Sequence, residues 1–288
     1  MSGIEQYRVP RSLAEAVDIL RAGKVTVLAG GTDLMVQLRS GKLRAGPVLM
    51  NIRHLPELQG IGEAEGVVRI GALVTISELL ASPLVRARLG LLWQACDHFA
   101  SDQIRNAGTL GGNICNASPA GDTLVPLLAL DATVVLASRP EAALATRRVP
   151  LGSFLVGPGR TARTPGELLV AVEMPLPPSG FVGEFYKHGA RPALDIATIS
   201  LAVGARRDGR VLRDVRVAFG AVASTPIRAP RTEALLEGHA ADAATVDAAT
   251  QAALTEVHPI SDVRASDWYR RELVRNMLKR TLAHVSQL

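Results

Sequence analysis

The chain has 288 residues, 48% hydrophobic and 20% charged, with 26 Gly and 17 Pro. That usage excludes a lone mini-module and a disordered segment, and leaves room for about two domains with real cores. The 32 Lys and Arg outnumber the 27 Asp and Glu by five, favouring an anionic ligand, but they are scattered and aromatic residues make up only 3%. The basic, aromatic-interleaved run of a nucleic-acid-binding surface is therefore missing.

The first 55 residues read as a small β-α-β unit. Ser12-Leu13-Ala14-Glu15 spells a capping box before Leu13, Ala16, Val17 and Leu20 at helical spacing, and Gly23 stops that helix. A strand over Lys24 to Ala29, a Gly30-Gly31-Thr32-Asp33 turn, a helix from Leu34 to Arg39 and a strand over Val48 to Ile52 follow. Val67 to Ile70 predicts a strand, Thr75-Ile76-Ser77-Glu78 caps a helix, and Leu84 to Phe99 reads as one helix. Ile104 to Thr123 has almost no apolar period and reads as a long ordered loop, a kind of segment that is more often functional than idle.

Beyond it come a helix over Leu124 to Leu130, a strand over Ala132 to Ala137, a polar hairpin over Arg139 to Arg148 and a strand over Leu168 to Val172. Pro175-Leu176-Pro177-Pro178 is a stiff connector and the best boundary, dividing the chain into 1–175 (1–55 and a mixed-sheet part, 56–175) and 176–288. The second part predicts strands over Phe181 to Lys187, Ala197 to Arg206 and Val211 to Ala218. Helices then follow over Ala229 to Leu236, Val246 to Val257 and Ser266 to His284, the last with Trp268, Leu273, Met277 and Leu278 near one face.

Cys96 and Cys115 cannot furnish a disulfide framework, a zinc ribbon or an iron–sulfur cluster from this chain alone, which fits a reducing cytoplasm. No signal peptide or membrane span is read, because the most apolar stretch, Leu124 to Ala137, is cut by Pro126 and Asp131. The six histidines show no metal spacing.

The sharpest feature is a pair of glycine loops, Ala29-Gly30-Gly31-Thr32-Asp33-Leu34 and Thr109-Leu110-Gly111-Gly112-Asn113-Ile114. Adjacent glycines beside a Thr suit a nest of backbone amides for phosphate, and two such loops suit the two phosphates of a dinucleotide; each Gly-Gly also reads as a plain tight turn. Neither a G-x-G-x-x-G fingerprint nor a G-x-x-x-x-G-K-[ST] loop occurs. Asp122 reads equally as an N-cap or a ligand contact, Lys187 as an edge charge, Ile196 as core, and Arg191 with Asp195 as a surface pair.

These two motifs, with Ser118-Pro119-Ala120-Gly121-Asp122, Tyr186-Lys187, Arg191, Asp195-Ile196-Ala197 and Ser266-Asp267-Trp268-Tyr269-Arg270, resemble the FAD-binding (medium) subunit of the molybdenum hydroxylases, the xanthine dehydrogenase and carbon monoxide dehydrogenase family. The resemblance implies an α+β fold. A two-part FAD domain of the vanillyl-alcohol-oxidase (PCMH) type would precede a smaller domain of three antiparallel strands with helices.

It further implies pyrophosphate binding by backbone amides of both loops, Leu28 to Leu34 and Thr109 to Asn113. Asp122 would serve the adenosine side of FAD, Lys187 the polar edge of the flavin and Ile196 the face of its ring, with weaker roles for Phe99 and Leu168. No catalytic acid or base is implied. A small 2Fe–2S subunit, a large molybdopterin subunit, a dimer of heterotrimers and NAD or another acceptor complete the expectation. A stand-alone flavin dehydrogenase and a non-redox nucleotide-binding or assembly module remain the alternatives, and whether Cys115 approaches the flavin stays open.

Overall fold

The computed structural model describes residues 3–140, 143–191 and 193–287. The first unit comprises β1 (Gln6–Arg8), α1 (Leu13–Arg21), β2 (Val25–Leu28), α2 (Leu34–Arg39) and β3 (Val48–Asn51), with its strands parallel in the order β1-β3-β2. Ser12 Oγ accepts from the Glu15 amide at 3.2 Å, but the reciprocal bond of the capping box is displaced. Glu15 Oε2 accepts from the Arg11 amide at 2.8 Å, one residue before the cap. Gly23, at φ +84, carries the chain out of α1.

The second unit runs through β4 (Ile61–Ala64), β5 (Val67–Gly71), α3 (Ile76–Ala81), α4 (Pro83–Arg88), α5 (Gly90–Asp97), α6 (Asp102–Arg105), α7 (Leu110–Asn116), α8 (Leu124–Ala129), β6 (Thr133–Ser138), β7 (Ala145–Pro150), α9 (Leu151–Phe154), β8 (Leu155–Gly157), β9 (Arg160–Thr161) and β10 (Leu168–Pro175). Five of its strands make an antiparallel sheet, β4-β5-β10-β6-β7, and β8 pairs with β9 alone.

Two expectations are corrected here. The helix expected over Leu84 to Phe99 is broken in two, because Leu89 leaves helical geometry at φ −126, ψ 50. The stretch expected to be a loop from Ile104 to Thr123 contains α7, which needs only two fully buried anchors, Leu110 and Ile114, and so shows no longer apolar stripe. Residues 141 and 142 of the expected hairpin lie outside the described residues.

The third unit is an antiparallel sheet of β11 (Phe181–His188), β12 (Ile199–Asp208), β13 (Val211–Gly220) and the two-residue β14 (Ile227–Arg228), followed by α10 (Pro230–Leu236), α11 (Ala243–Glu256) and α12 (Asp267–Val285). Side chains alternate across a strand, so Ile199, Leu201 and Val203 of β12 meet the helices. Ala202, with Phe185 and Ala218, faces the other way and joins the core of the preceding units. There α5 and α8 lie against the sheet, which is thus covered on both faces. Trp268 is 66% exposed, contrary to its expected place on the apolar face. At 3.6 residues per turn it falls well round from the buried stripe of Leu273, Val274, Leu278 and Leu282. Among the described residues no helix is long and apolar enough to cross a membrane.

Candidate cofactor-binding site

Both glycine motifs reach one cleft, and their lack of side chains is what lets them meet. A Cβ on Gly30 would collide with the carbonyl of Ala107, and one on Gly108 would stand 3.6 Å from Thr32 Oγ1, so the first loop is seated on the segment leading into the second. A Cβ on Gly111 would stand 2.7 Å from both the Cβ and the carbonyl oxygen of Ala72, just beyond β5.

The backbone donors of the two motifs are in different states. The amides of Gly31, Thr32, Asp33 and Leu34 find no acceptor in the backbone hydrogen bonds of the described residues, and the Asp33 side chain caps nothing. A run of unengaged donors is what an anion cradle requires. In the second motif, against expectation, the amides from Leu110 to Asn113 are engaged. Leu110 N donates to Val74 O and Gly111 N to Ala72 O, both at 2.9 Å, and Asn113 N donates to Thr109 O at 3.0 Å. Gly112 N donates to Thr109 Oγ1 at 3.0 Å, capping α7. This motif therefore offers side chains: Asn113 Oδ1 accepts from Thr123 Oγ1 at 2.7 Å, which leaves its NH2 group for a ligand.

The cavity around these loops holds about 420 Å³, within the range of about 300–1,000 Å³ usual for small-molecule sites. Ala29, Gly30, Gly31, Thr32, Asp33, Leu34, Thr109, Gly111, Gly112 and Asn113 of the two motifs all line it, as do Phe99 and Leu168, which the resemblance added to them. The wall also contains residues that sequence reasoning missed, notably Val25, Val27, Ile52 and Leu169 on the apolar side and Gln37, Asn116 and Arg163 on the polar side. Gln37 Nε2 donates to Asn116 Oδ1 at 3.0 Å and ties α2 to α7; no spacing signals a pair 79 residues apart. Cys115 is reachable through the cavity yet closely surrounded, which raises its thiol pKa, whereas burial pushes the Cys96 thiol up to about 12.

Leu28, Asp122, Lys187 and Ile196 do not line the cavity. Leu28 ends β2 with its Cδ1 3.1 Å from the Cβ position of Gly31, supporting the loop from behind. Ile196 is 50% exposed and belongs to neither core, so the reading of it as a core residue is wrong. Asp122 does not cap α8; that position is Thr123, whose side chain makes no capping bond.

Lys187 Nζ donates to Asp122 Oδ2 at 2.6 Å and to the His98 carbonyl at 3.2 Å, with the two side chains 8% and 10% exposed. The edge-charge reading of Lys187 fails because strand parity puts it on the face of β11 that Phe185 turns toward the first two units. The resemblance assigned this pair to opposite ends of FAD; in contact, they act as one unit. Burial pushes Asp122 up to about 6 against the pull of Lys187, and its Oδ1 is buried without a partner. Arg191 and Asp195 do pair: the Arg191 amide donates to Asp195 Oδ2 at 3.0 Å and closes a turn.

Among the described residues no group of three or more His, Cys, Asp or Glu converges on a metal position. Asp33, Cys115 and Arg163 are the titratable groups in the cavity wall, and none is joined to a histidine or to another as a nucleophile and base would be. Free amides, a positioned carboxamide and a guanidinium beside an apolar slot fit a dinucleotide whose phosphates and ring need different surroundings. The cleft thus has the make-up of a dinucleotide-binding site.

A family model described as the FAD binding domain in molybdopterin dehydrogenase matches residues 3–177, and one described as the CO dehydrogenase flavoprotein C-terminal domain matches residues 184–285. The chain is 35% identical to the xanthine dehydrogenase FAD-binding subunit of Escherichia coli O157:H7, over 98% of this chain and 96% of that one. It is 34% identical to the carbon monoxide dehydrogenase medium chain of Hydrogenophaga pseudoflava, over 96% and 95%. Reconstituted CO dehydrogenase from Oligotropha carboxidovorans contains a chain that superposes with a TM-score of 0.94 at 31% identity, covering 100% of this chain and 99% of that one. The chain belongs to the FAD-binding subunits of the molybdenum hydroxylase family of oxidoreductases, and its cofactor is FAD.

Proposed function

We propose that the chain is the electron-transfer subunit of a molybdenum hydroxylase, placed between the 2Fe–2S clusters of a small partner and NAD or another acceptor, in a cytoplasmic complex whose large partner holds molybdopterin. A dimer of such heterotrimers is the proposed assembly, with 1–175 and 176–288 as the two domains. The observation that supports this reading is the composition of the cleft wall, which is suited to bind and orient and which, among the described residues, contains no base paired to take a substrate proton.

FAD, when bound, supplies the redox chemistry. The chain's own residues do the rest. The amides from Gly31 to Leu34 with the Thr32 hydroxyl receive the diphosphate, Asn113 adds a directed donor, and Val25, Val27, Phe99, Leu168 and Leu169 exclude water from the ring. Leu28 supports the first loop, and Asp122 with Lys187 positions β11 beside the segment that carries Phe99. Ile196, exposed on the connection after β11, is the residue proposed to meet the ring face at the boundary with a partner.

Flavin absorbance tests the reading. The isolated, FAD-loaded chain should bleach with dithionite but stay oxidised with xanthine, carbon monoxide, nicotine-like heterocycles and aldehydes. Organic substrate should bleach it only after both partners are added. Rapid bleaching by one of these substrates without partners would replace this reading with that of a stand-alone flavin dehydrogenase.

A further inference from the structure

We infer that Arg163 is the cation that binds the diphosphate in the cleft, a contact that rests on the reading of this cavity as the FAD site. The diphosphate of a dinucleotide is doubly negative. The first glycine motif offers it neutral amides, and in the second the amides from Leu110 to Asn113 are already engaged on Val74, Ala72 and Thr109. Among the described lining residues Arg163 is the one cation.

Among the described residues no carboxylate pairs with its guanidinium. The nearest carboxylate in sequence, Glu167, is engaged elsewhere: Arg147 Nε donates to Oε1 at 2.5 Å, Arg147 Nη2 to Oε2 at 2.8 Å, and the Thr164 amide to Oε2 at 2.7 Å. Glu167 gives Arg163 only its backbone carbonyl, which accepts from Nη1 at 2.9 Å. That bond holds the guanidinium by one corner and leaves the Nε and Nη2 edge for a bidentate grip on phosphate oxygens. The field of the same guanidinium reaches Cys115, opposing the burial that raises its thiol, and so sets the charge beside α7 and the second glycine motif.

The test uses the full chain stripped of flavin, as wild type, Arg163→Gln and Arg163→Lys, titrated with FAD, ADP and riboflavin at low and high salt. Arg163→Gln should weaken FAD and ADP about tenfold, because one charge-assisted contact is lost at a site partly open to solvent. It should leave riboflavin unchanged and flatten the salt dependence, and Arg163→Lys should restore that dependence. A loss below about threefold for FAD and ADP, or an equal loss for riboflavin, overturns the assignment.

Alkylation of Cys115 keeps the two possible failures apart. If FAD shields Cys115 in the wild type while Arg163→Gln binds normally, the cleft reading stands and the role of Arg163 falls. If the wild type binds FAD and Cys115 stays reactive, the cleft reading falls and takes the assignment with it.

Discussion

Gly111 and Gly112 are neighbours with different reasons to lack a side chain. A Cβ on Gly111 meets the backbone of Ala72, so Gly111→Val should overpack the junction of β5 with α7, at a cost of about 1–3 kcal/mol to the fold itself. A Cβ on Gly112 stands 2.8 Å from Thr109 Oγ1, the flexible hydroxyl that caps α7, and the residue faces the cavity. Gly112→Val should therefore cost about 1 kcal/mol of stability through the disturbed cap yet lose FAD on dialysis. Thermal melting and released flavin separate the two effects. A Gly112→Val protein that keeps its full flavin would contradict the place given to this residue in the cleft.

At the scale of elements, the turn into β10 is held by Glu167, which joins that turn to β7 through Arg147. The Arg147 hydrogen bond, helped by Thr164, holds the Glu167 carboxyl down at about 2, below its ordinary value of 4.5. A carboxyl with a depressed native pKa stabilises the fold above its unfolded pKa, and that contribution is lost as pH falls from about 4.5 towards 2. Glu167→Gln should thus cost about 1 kcal/mol at neutral pH, discounted because Arg147 is half exposed. The difference should close by the acid end, as urea midpoints across the range would reveal. FAD affinity should hold throughout, since Arg163 is anchored by the Glu167 carbonyl rather than by its carboxylate.

At the scale of the molecule, the third unit sits against α5 and α8 through a mixed contact. Gln94 brackets β11, its Nε2 donating to the Gly183 carbonyl at 3.0 Å and its Oε1 accepting from the Phe185 amide at 2.8 Å. Beside it lies the Asp122–Lys187 pair. Removing Lys187 leaves a buried carboxylate uncompensated, so Lys187→Met should destabilise the chain by about 3 kcal/mol above neutral pH. The sign with pH follows from Asp122, whose native pKa is raised to about 6. The native state holds that proton more tightly than the unfolded chain, and this contribution falls away as pH rises through the interval up to about 6. Below it the carboxyl is neutral with or without Lys187, so the cost of Lys187→Met should shrink at pH 5. Melting curves at pH 5 and pH 8 check this; a constant gap would mean that Asp122 is ionised throughout.

What the sequence by itself determined is what neighbouring residues impose on one another. The Thr75–Glu78 capping box forms both its bonds, Gly23 and Gly41 end their helices with positive φ, and the strand–glycine–helix order from Val25 to Arg39 is built as spelled. The two glycine motifs were legible as partners because their composition is unusual over a few adjacent positions.

Only the tertiary structure decided which backbone donors remain free, because the acceptors that engage Leu110 and Gly111 are carbonyls just beyond β5. It also decided that Arg163 and Gln37 face the cleft, that Ile196 lies outside both cores, and that Asp122 meets Lys187 rather than capping a helix. A local pattern sets the conformation of a segment. Whether a polar group there is already engaged depends on what distant segments are packed against it, and no spacing along the chain carries that information.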